Sequence, residues 1–154
     1  MTAADGDWDA EIRPHRVKFF VYTAAILIAG AHIAVSLLLT IGSTGVLFRT
    51  YDQVAVATIG LIIAGFVLLF GRPRLRVGAA GLSVRNIFGD KLVPWNAVAD
   101  VTFPADARWA RIELPDDEYI PLMAIQAIDG DRAVAAMDTV RDLLARYRPD
   151  PAAP

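Results

Sequence analysis

RPRLRVGAAGLSVRN, residues 72–86, follows without a break on VAVATIGLIIAGFVLLF, residues 54–70. The chain leaves lipid-like sequence through Arg72, Arg74 and Arg76 and enters a pattern of period two, with Leu75 and Val77 alternating with arginine and glycine. Alternation at every second residue marks a strand with one buried face. Positive charge directly after a long apolar run marks a membrane exit on the cytoplasmic side. The stretch therefore divides the chain into a membrane-type half and a small β domain.

Upstream of it lie two apolar spans, residues 19–41 and residues 54–71. The overall hydrophobic fraction of 55% is concentrated there. At about 1.5 Å per residue the first span reaches roughly 34 Å, enough for a hydrocarbon core of about 30 Å. Residues 54–70 reach only about 25 Å, a gap that Gly71 or a locally thin bilayer would close. The rest of the chain is too small to bury two helices that are apolar on every side, so burial in a soluble core is the weaker alternative. Arg13, Arg16 and Lys18 precede the first span and three arginines follow the second. The connection at residues 42–53 offers Arg49 against Asp52. Positive-inside reasoning places both termini in the cytoplasm, with residues 1–18 as an acidic cytosolic tail and 42–53 as an extracytoplasmic loop in a multi-pass plasma-membrane protein. Ala29-Gly30-Ala31 has the form of a signal cleavage site, but the apolar run continues through Ile41, too long for an ordinary signal core.

His32 lies near the middle of the first span, and an ionisable residue at that depth is a functional candidate by default. No acidic residue accompanies it in either span, which favours a neutral imidazole bonded to Ser36 or to the neighbouring helix. Ala25/Ala29, Gly30/Ala34 and Gly60/Ala64 have the small-xxx-small spacing that lets helices approach closely.

The β domain occupies residues 72–148, with 149–154 as a tail. Gly78 to Gly81 turns the first strand into Leu82–Ile87, and Gly89-Asp90 turns that into Lys91–Val93, ended by Pro94-Trp95. Val98, Val101 and Phe103 suggest a fourth strand. Residues 109–114 and 119–123 form a hairpin about Asp116-Asp117. Short antiparallel strands at this spacing mean a bent sheet or small barrel. Val134, Met137, Val140, Leu144 and Tyr147 then mark one face of a helix, capped by Asp129 or Asp131 and stopped by Pro149.

Taken together, a two-helix hairpin, GLSVRN at 81–86, PWNAVADV at 94–101, a strand pair and a closing helix resemble the bacterial PH-domain membrane proteins. More narrowly they are similar to the actinobacterial low molecular weight protein antigen 6 family. The resemblance covers residues 15–148 and implies a pleckstrin-homology-like α+β domain whose C-terminal helix plugs an open end of the sheet. Its motifs are a turn glycine, core valines and a packed tryptophan, and it brings no catalytic residues.

Functional classes narrow accordingly. With no cysteine and two histidines, neither in the β domain, thiolate chemistry is excluded and imidazole chemistry is confined to His15 and His32. A net charge of −2 gives no reason to expect nucleic acid, and no cofactor motif is present. DGDWDAE at 5–11 has alternating acids but lacks the glycine and closing glutamate of a calcium loop. Asp116, Asp117 and Glu118 read as a solvated turn. No catalytic, cofactor or metal site is expected, so the chain is read as non-enzymatic. Two interaction readings remain. Arg74, Arg76, Arg85 and Lys91 form a thin basic cluster that would contact anionic lipid headgroups, within a domain whose charges otherwise balance. Trp109 and Tyr119 would anchor a protein partner if exposed, but core packing is the favoured use of each. The preferred expectation is an interaction module, scaffold or accessory subunit of a membrane-protein complex or homo-oligomer.

Overall fold

The computed structural model describes residues 8–39 and 49–148. The chain divides into two compact units: Val17–Gly71, and Met1–Arg16 together with Arg72–Pro154.

The first unit is a pair of helices, each long and apolar enough to cross a membrane. Helix α1 runs Arg16–Leu38 and α2 runs Thr50–Leu69. Both start earlier than expected. Arg16 and Lys18 belong to the first turn of α1 rather than to a tail, and Thr50–Gln53 belong to α2 rather than to a loop. Residues 42–48 of the expected loop lie outside the described residues. The early start of α2 has a local cause. Its N-cap Arg49 donates its backbone N–H to the Asp52 carboxylate at 2.8 Å, satisfying a helix-end group in capping-box fashion. At 20 residues α2 spans about 30 Å, so no shortfall remains.

The two helices pack antiparallel. Ser36 Oγ, near the end of α1, donates to the Gln53 carbonyl near the start of α2 at 2.8 Å. At the other end Val21 sits 3.4 Å from where a Cβ on Gly71 would lie. Midway, Gly60 passes so close to α1 that a Cβ there would fall 2.2 Å from His32 Cβ. Of the small-residue pairs, Gly60 and Ala64 are buried and face α1, whereas Gly30 and Ala34 lie exposed, with nothing near Gly30. Only one of the two helices uses its glycine for close approach.

Among the described residues the second unit is an α+β domain of seven strands and one α-helix. Strands β1 (Trp8–Ile12), β2 (Arg74–Gly78), β3 (Gly81–Arg85) and β4 (Asp90–Val93) form one antiparallel sheet in that order. Strands β5 (Asp100–Thr102), β6 (Trp109–Glu113) and β7 (Tyr119–Gln126) form another. Helix α3 (Asp131–Tyr147) closes the domain.

Strand β1 corrects the reading of residues 1–18 as a tail. Trp8, Ala10 and Ile12 alternate with Asp9 and Glu11, and the strand pairs with β2, Ile12 opposite Leu75 and Glu11 opposite Arg76. The helix pair is thus an insertion between the first and second strands of one sheet. Tyr147, at the far end of α3, also donates its hydroxyl to Asp9 at 2.5 Å.

Leu75, Val77, Leu82, Val84, Val101, Ile112, Leu122 and Val140 are almost entirely buried between the sheets and α3. Trp95 belongs to this core as expected. Its Nε1 donates to the Gly78 carbonyl at 2.9 Å and its ring stacks on Tyr147 with centroids 5.5 Å apart. Asn86 ties the sheets together, donating to the Pro121 carbonyl at 2.9 Å and accepting from the Met123 N–H at 3.4 Å. At the β2–β3 turn Gly81 has φ +125°, and a Cβ there would lie 2.2 Å from the Val93 carbonyl oxygen. Only glycine fits that position. Asp116 and Asp117, at φ 66° and 59°, make the exposed turn between β6 and β7, a conformation aspartate tolerates.

Two expectations for α3 fail. Its buried face is Ala133, Met137 and Val140, flanked by Leu144 and Tyr147, while Val134 is 61% exposed. The N-cap is Gly130 at φ 57°, with no side-chain cap. Asp129 turns the other way, its carboxylate accepting the backbone N–H of His15 at 3.1 Å and of Arg16 at 2.8 Å.

Candidate functional site

The four expected basic residues do not form one cluster. Arg74 and Arg76 lie between inward-facing Leu75 and Val77 on β2, so they point outward, and Arg85 opposite Arg74 shares that face. Lys91 is paired with core residue Val84 and therefore belongs to the opposite face, exposed at the sheet edge. Two of the arginines are already matched to acids. Arg76 Nε donates to Glu11 at 2.7 Å, and Arg13 also bonds Glu11. Arg85 lies 3.6 Å from Asp90. The hydrogen bond from Arg76, helped by Arg13, holds the Glu11 carboxyl below the usual glutamate value despite some opposing desolvation. Arg74 and Lys91 have no acidic partner among the described residues. The missed element was β1, which brings the neutralising glutamate to the outer face.

Trp109 and Tyr119 lie on the outer face of the second sheet, because Ala110 and Ile112 take the inward positions on β6. Core packing is therefore not the use of either. Tyr119 is 57% exposed and carries the Arg111 guanidinium 5.1 Å over its ring. Trp109 is half-buried. Arg111 also bonds Glu113 at 2.6 Å, and Thr102 donates its hydroxyl to the same carboxylate at 2.7 Å. The Thr102 hydrogen bond, then Arg111, keeps the Glu113 carboxyl below its ordinary value. The surface is polar and internally satisfied around one exposed tyrosine.

A third surface went unmarked by the sequence. Strand β5 is an edge of its sheet, and α3 runs beside it. Between α3, Phe103 just after β5 and the turn at Ala127–Gly130 lies an open groove of about 420 Å³, lined by Phe103, Ala127, Ala133, Val134 and Met137. Asp131, Asp138 and Arg141 stand around it. Val134 is in the groove because a helix of 3.6 residues per turn carries position 134 away from the core stripe through 133, 137 and 140. The signal available in sequence was one apolar residue too many for that stripe. An edge strand beside an apolar helix face is the arrangement that accepts an extended peptide, main chain against the strand and side chains in the groove.

His32 is held by neither Ser36 nor α2. Its Nδ1 lies 2.8 Å from the Ile28 carbonyl one turn earlier, and because a carbonyl only accepts, Nδ1 carries the hydrogen. Around it Ala31, Val35, Val56 and Ile59 form a shallow apolar recess. Among the described residues no group of three His, Asp or Glu side chains is placed to hold a metal ion.

A four-stranded and a three-stranded antiparallel sheet closed by one C-terminal helix define a PH-like domain. Comparison with known proteins agrees: residues 72–143 match the family described as Bacterial PH domain. Over 150 residues the chain is 67% identical to the uncharacterized protein Rv1417 of Mycobacterium tuberculosis, covering 97% of each chain. The uncharacterized protein Mb1452 of Mycobacterium bovis is similar to the same extent. The chain belongs to the family of these mycobacterial proteins, which carries a bacterial PH domain. No solved structure matches it.

Proposed function

We propose that this protein is a non-enzymatic, membrane-anchored interaction module, a scaffold or accessory subunit that holds an extended segment of a membrane-protein partner between β5 and α3. The observation that carries the reading is the apolar groove that α3 forms with Phe103, the residue next after edge strand β5, with Val134 presented to solvent rather than to the core. The helices act as the anchor in the plasma membrane. Pairing of β1 with β2 requires both ends of the helix pair to lie on one side of a bilayer, which supports a two-crossing hairpin. The arginine and lysine bias around residues 13–18 and 72–76 favours the cytoplasm for that side. The narrower likeness to low molecular weight protein antigen 6, carried by Gly81–Asn86 and Pro94–Val101, is part of the same proposal.

Headgroup recognition by Arg74, Arg76, Arg85 and Lys91 is the alternative. It has less support, because Arg76 and Arg85 face acids of their own sheet and Lys91 stands on the other face.

The test is Val134→Glu in the full chain, purified from its native membrane in mild detergent beside the wild type. Loss of a stoichiometric partner with unchanged thermal stability is the expected result. Partners retained by the variant, or by the helix pair alone, would overturn the assignment.

A further inference from the structure

His32 is bonded on one side only. Its Nδ1 hydrogen goes to the Ile28 carbonyl at 2.8 Å, which leaves Nε2 a bare acceptor, and no group among the described residues donates to it. The ring borders a recess of about 380 Å³ whose other linings, Ala31, Val35, Val56 and Ile59, carry no polar side chain. An acceptor without a donor is costly in hydrocarbon, so the recess is incomplete without a second molecule.

Depth limits what that molecule can be. Gly60, packed on His32, is ten residues from the start of α2 and nine from its end, about 15 Å and 14 Å along the axis. His32 therefore lies at the middle of a hydrocarbon core about 30 Å thick, out of reach of groups that stay in the headgroup layer. A buried water needs roughly two to four polar partners, and the recess offers one. A second copy of this chain in the same orientation brings no free hydroxyl to that depth. The nearest ones, Ser36 and Thr58, already donate to the Gln53 and Val54 carbonyls at 2.8 Å and 2.7 Å. What satisfies the site is a molecule soluble in hydrocarbon, with one hydroxyl on an apolar body. The volume falls in the range of small-molecule sites, roughly 300–1,000 Å³, and one polar group in an apolar lining is their usual form. A phenol or quinol ring meets each condition, being flat, apolar on both faces and a good hydroxyl donor to imidazole.

We infer that the recess at His32 binds a membrane-dissolved phenol or quinol, its hydroxyl donating to Nε2 and its ring lying against Val35, Val56 and Ile59. The inference rests on the membrane-spanning reading of α1 and α2 and goes beyond it, since it gives the anchor a ligand of its own.

The full chain, carrying nitrogen-15 histidine and methyl-labelled valine in phosphatidylcholine nanodiscs, is titrated with decylubiquinol under reductant. The matching quinone, which keeps the ring and lacks the hydroxyl, is titrated in parallel. The quinol is expected to shift the unprotonated nitrogen resonance of His32, identified by its loss in His32→Phe. It should also bind at least about fivefold more tightly than the quinone, the factor one hydrogen bond inside a membrane supplies, read from the Val56 methyls. His32→Phe keeps an apolar ring and should remove that preference. Ala31→Phe, at an exposed position on the recess, should abolish binding of both. Equal affinity for quinol and quinone, or binding of neither, would overturn the inference, and slow deuterium exchange of the amides at 28–36 would then leave the spanning helices intact. Fast exchange of those amides would overturn both readings. A shift of the His32 nitrogen seen only with a co-purified membrane protein would also overturn it and give the donor to a partner helix.

Discussion

The β2–β3 turn makes a demand on one residue that can be measured. Gly81 combines a φ of +125° with a space in which a Cβ would lie 2.2 Å from the Val93 carbonyl oxygen and 3.0 Å from the Val93 carbonyl carbon and Pro94 Cα. All three are backbone atoms of the neighbouring strand, so no rotamer change relieves the overlap. In Gly81→Ala, the unfavourable dihedral costs about 1–3 kcal/mol. Parting β3 from β4 adds about 1–3 kcal/mol of overpacking. A loss of at least about 2 kcal/mol is a large share of a small domain's total stability of about 5–15 kcal/mol. Gly89→Ala is the matched control, with no positive φ and nothing within 4 Å of its Cβ, so it should be neutral or stabilise by about 0.4–1 kcal/mol. Thermal unfolding of the full chain in detergent, followed by tryptophan fluorescence, reads both, because Trp95 is packed in the domain core. At about 4–8 °C per kcal/mol, Gly81→Ala should lower Tm by at least roughly 8 °C. Equal Tm values for the two variants would refute the steric reasoning.

Two further outcomes follow from the geometry. Gly60→Ala drives a methyl onto His32 Cβ, an atom fixed to its backbone, so the helices must part at a cost of about 1–3 kcal/mol; the pair should unfold at lower SDS concentration by circular dichroism, while Gly30→Ala changes nothing. Glu11 is held below its ordinary value in the folded state, so its ion pairs stabilise β1 above about pH 4.5 and lose that effect as pH falls through the lowered value. Hydrogen-exchange protection of the β1 amides, corrected for intrinsic rate, should drop between about pH 5 and pH 3 in the wild type and stay flat in Glu11→Gln.

Local pattern made most of the fold legible. Period two at Leu75, Val77, Leu82 and Val84, turn residues at Gly78–Gly81 and Asp116-Asp117, and the buried Trp95 all carry their meaning within a few residues. Strand β1 escaped because its partner lies beyond two membrane-type helices, and because Asp9 and Glu11 make a short strand look like an acidic tail. Its alternation of Trp8, Ala10 and Ile12 was the readable signal. The rest depended on non-local geometry. Asp129 is drawn from capping α3 by the N–H groups of His15 and Arg16, which no spacing rule connects to it. The three arginines sit on one face by register, but whether they are free to bind depended on Glu11 arriving from the far side of the helix pair. The groove arises where α3 meets Phe103 and the turn at Ala127–Gly130, so no single element announces it.

The placement of the helix pair inside a sheet also sets an order of events at the ribosome. Strand β1 is made first, and its partner is completed only after about sixty more residues, several seconds later at about 5–20 residues per second. Throughout that interval a single strand waits with its hydrogen-bonding groups unpaired, the condition in which strands adhere to one another. Asp9 and Glu11 put negative charge on one side of the waiting strand. The same acids bind Tyr147 and Arg76 once the sheet is complete, so the charge carried by the waiting strand is taken up when it pairs.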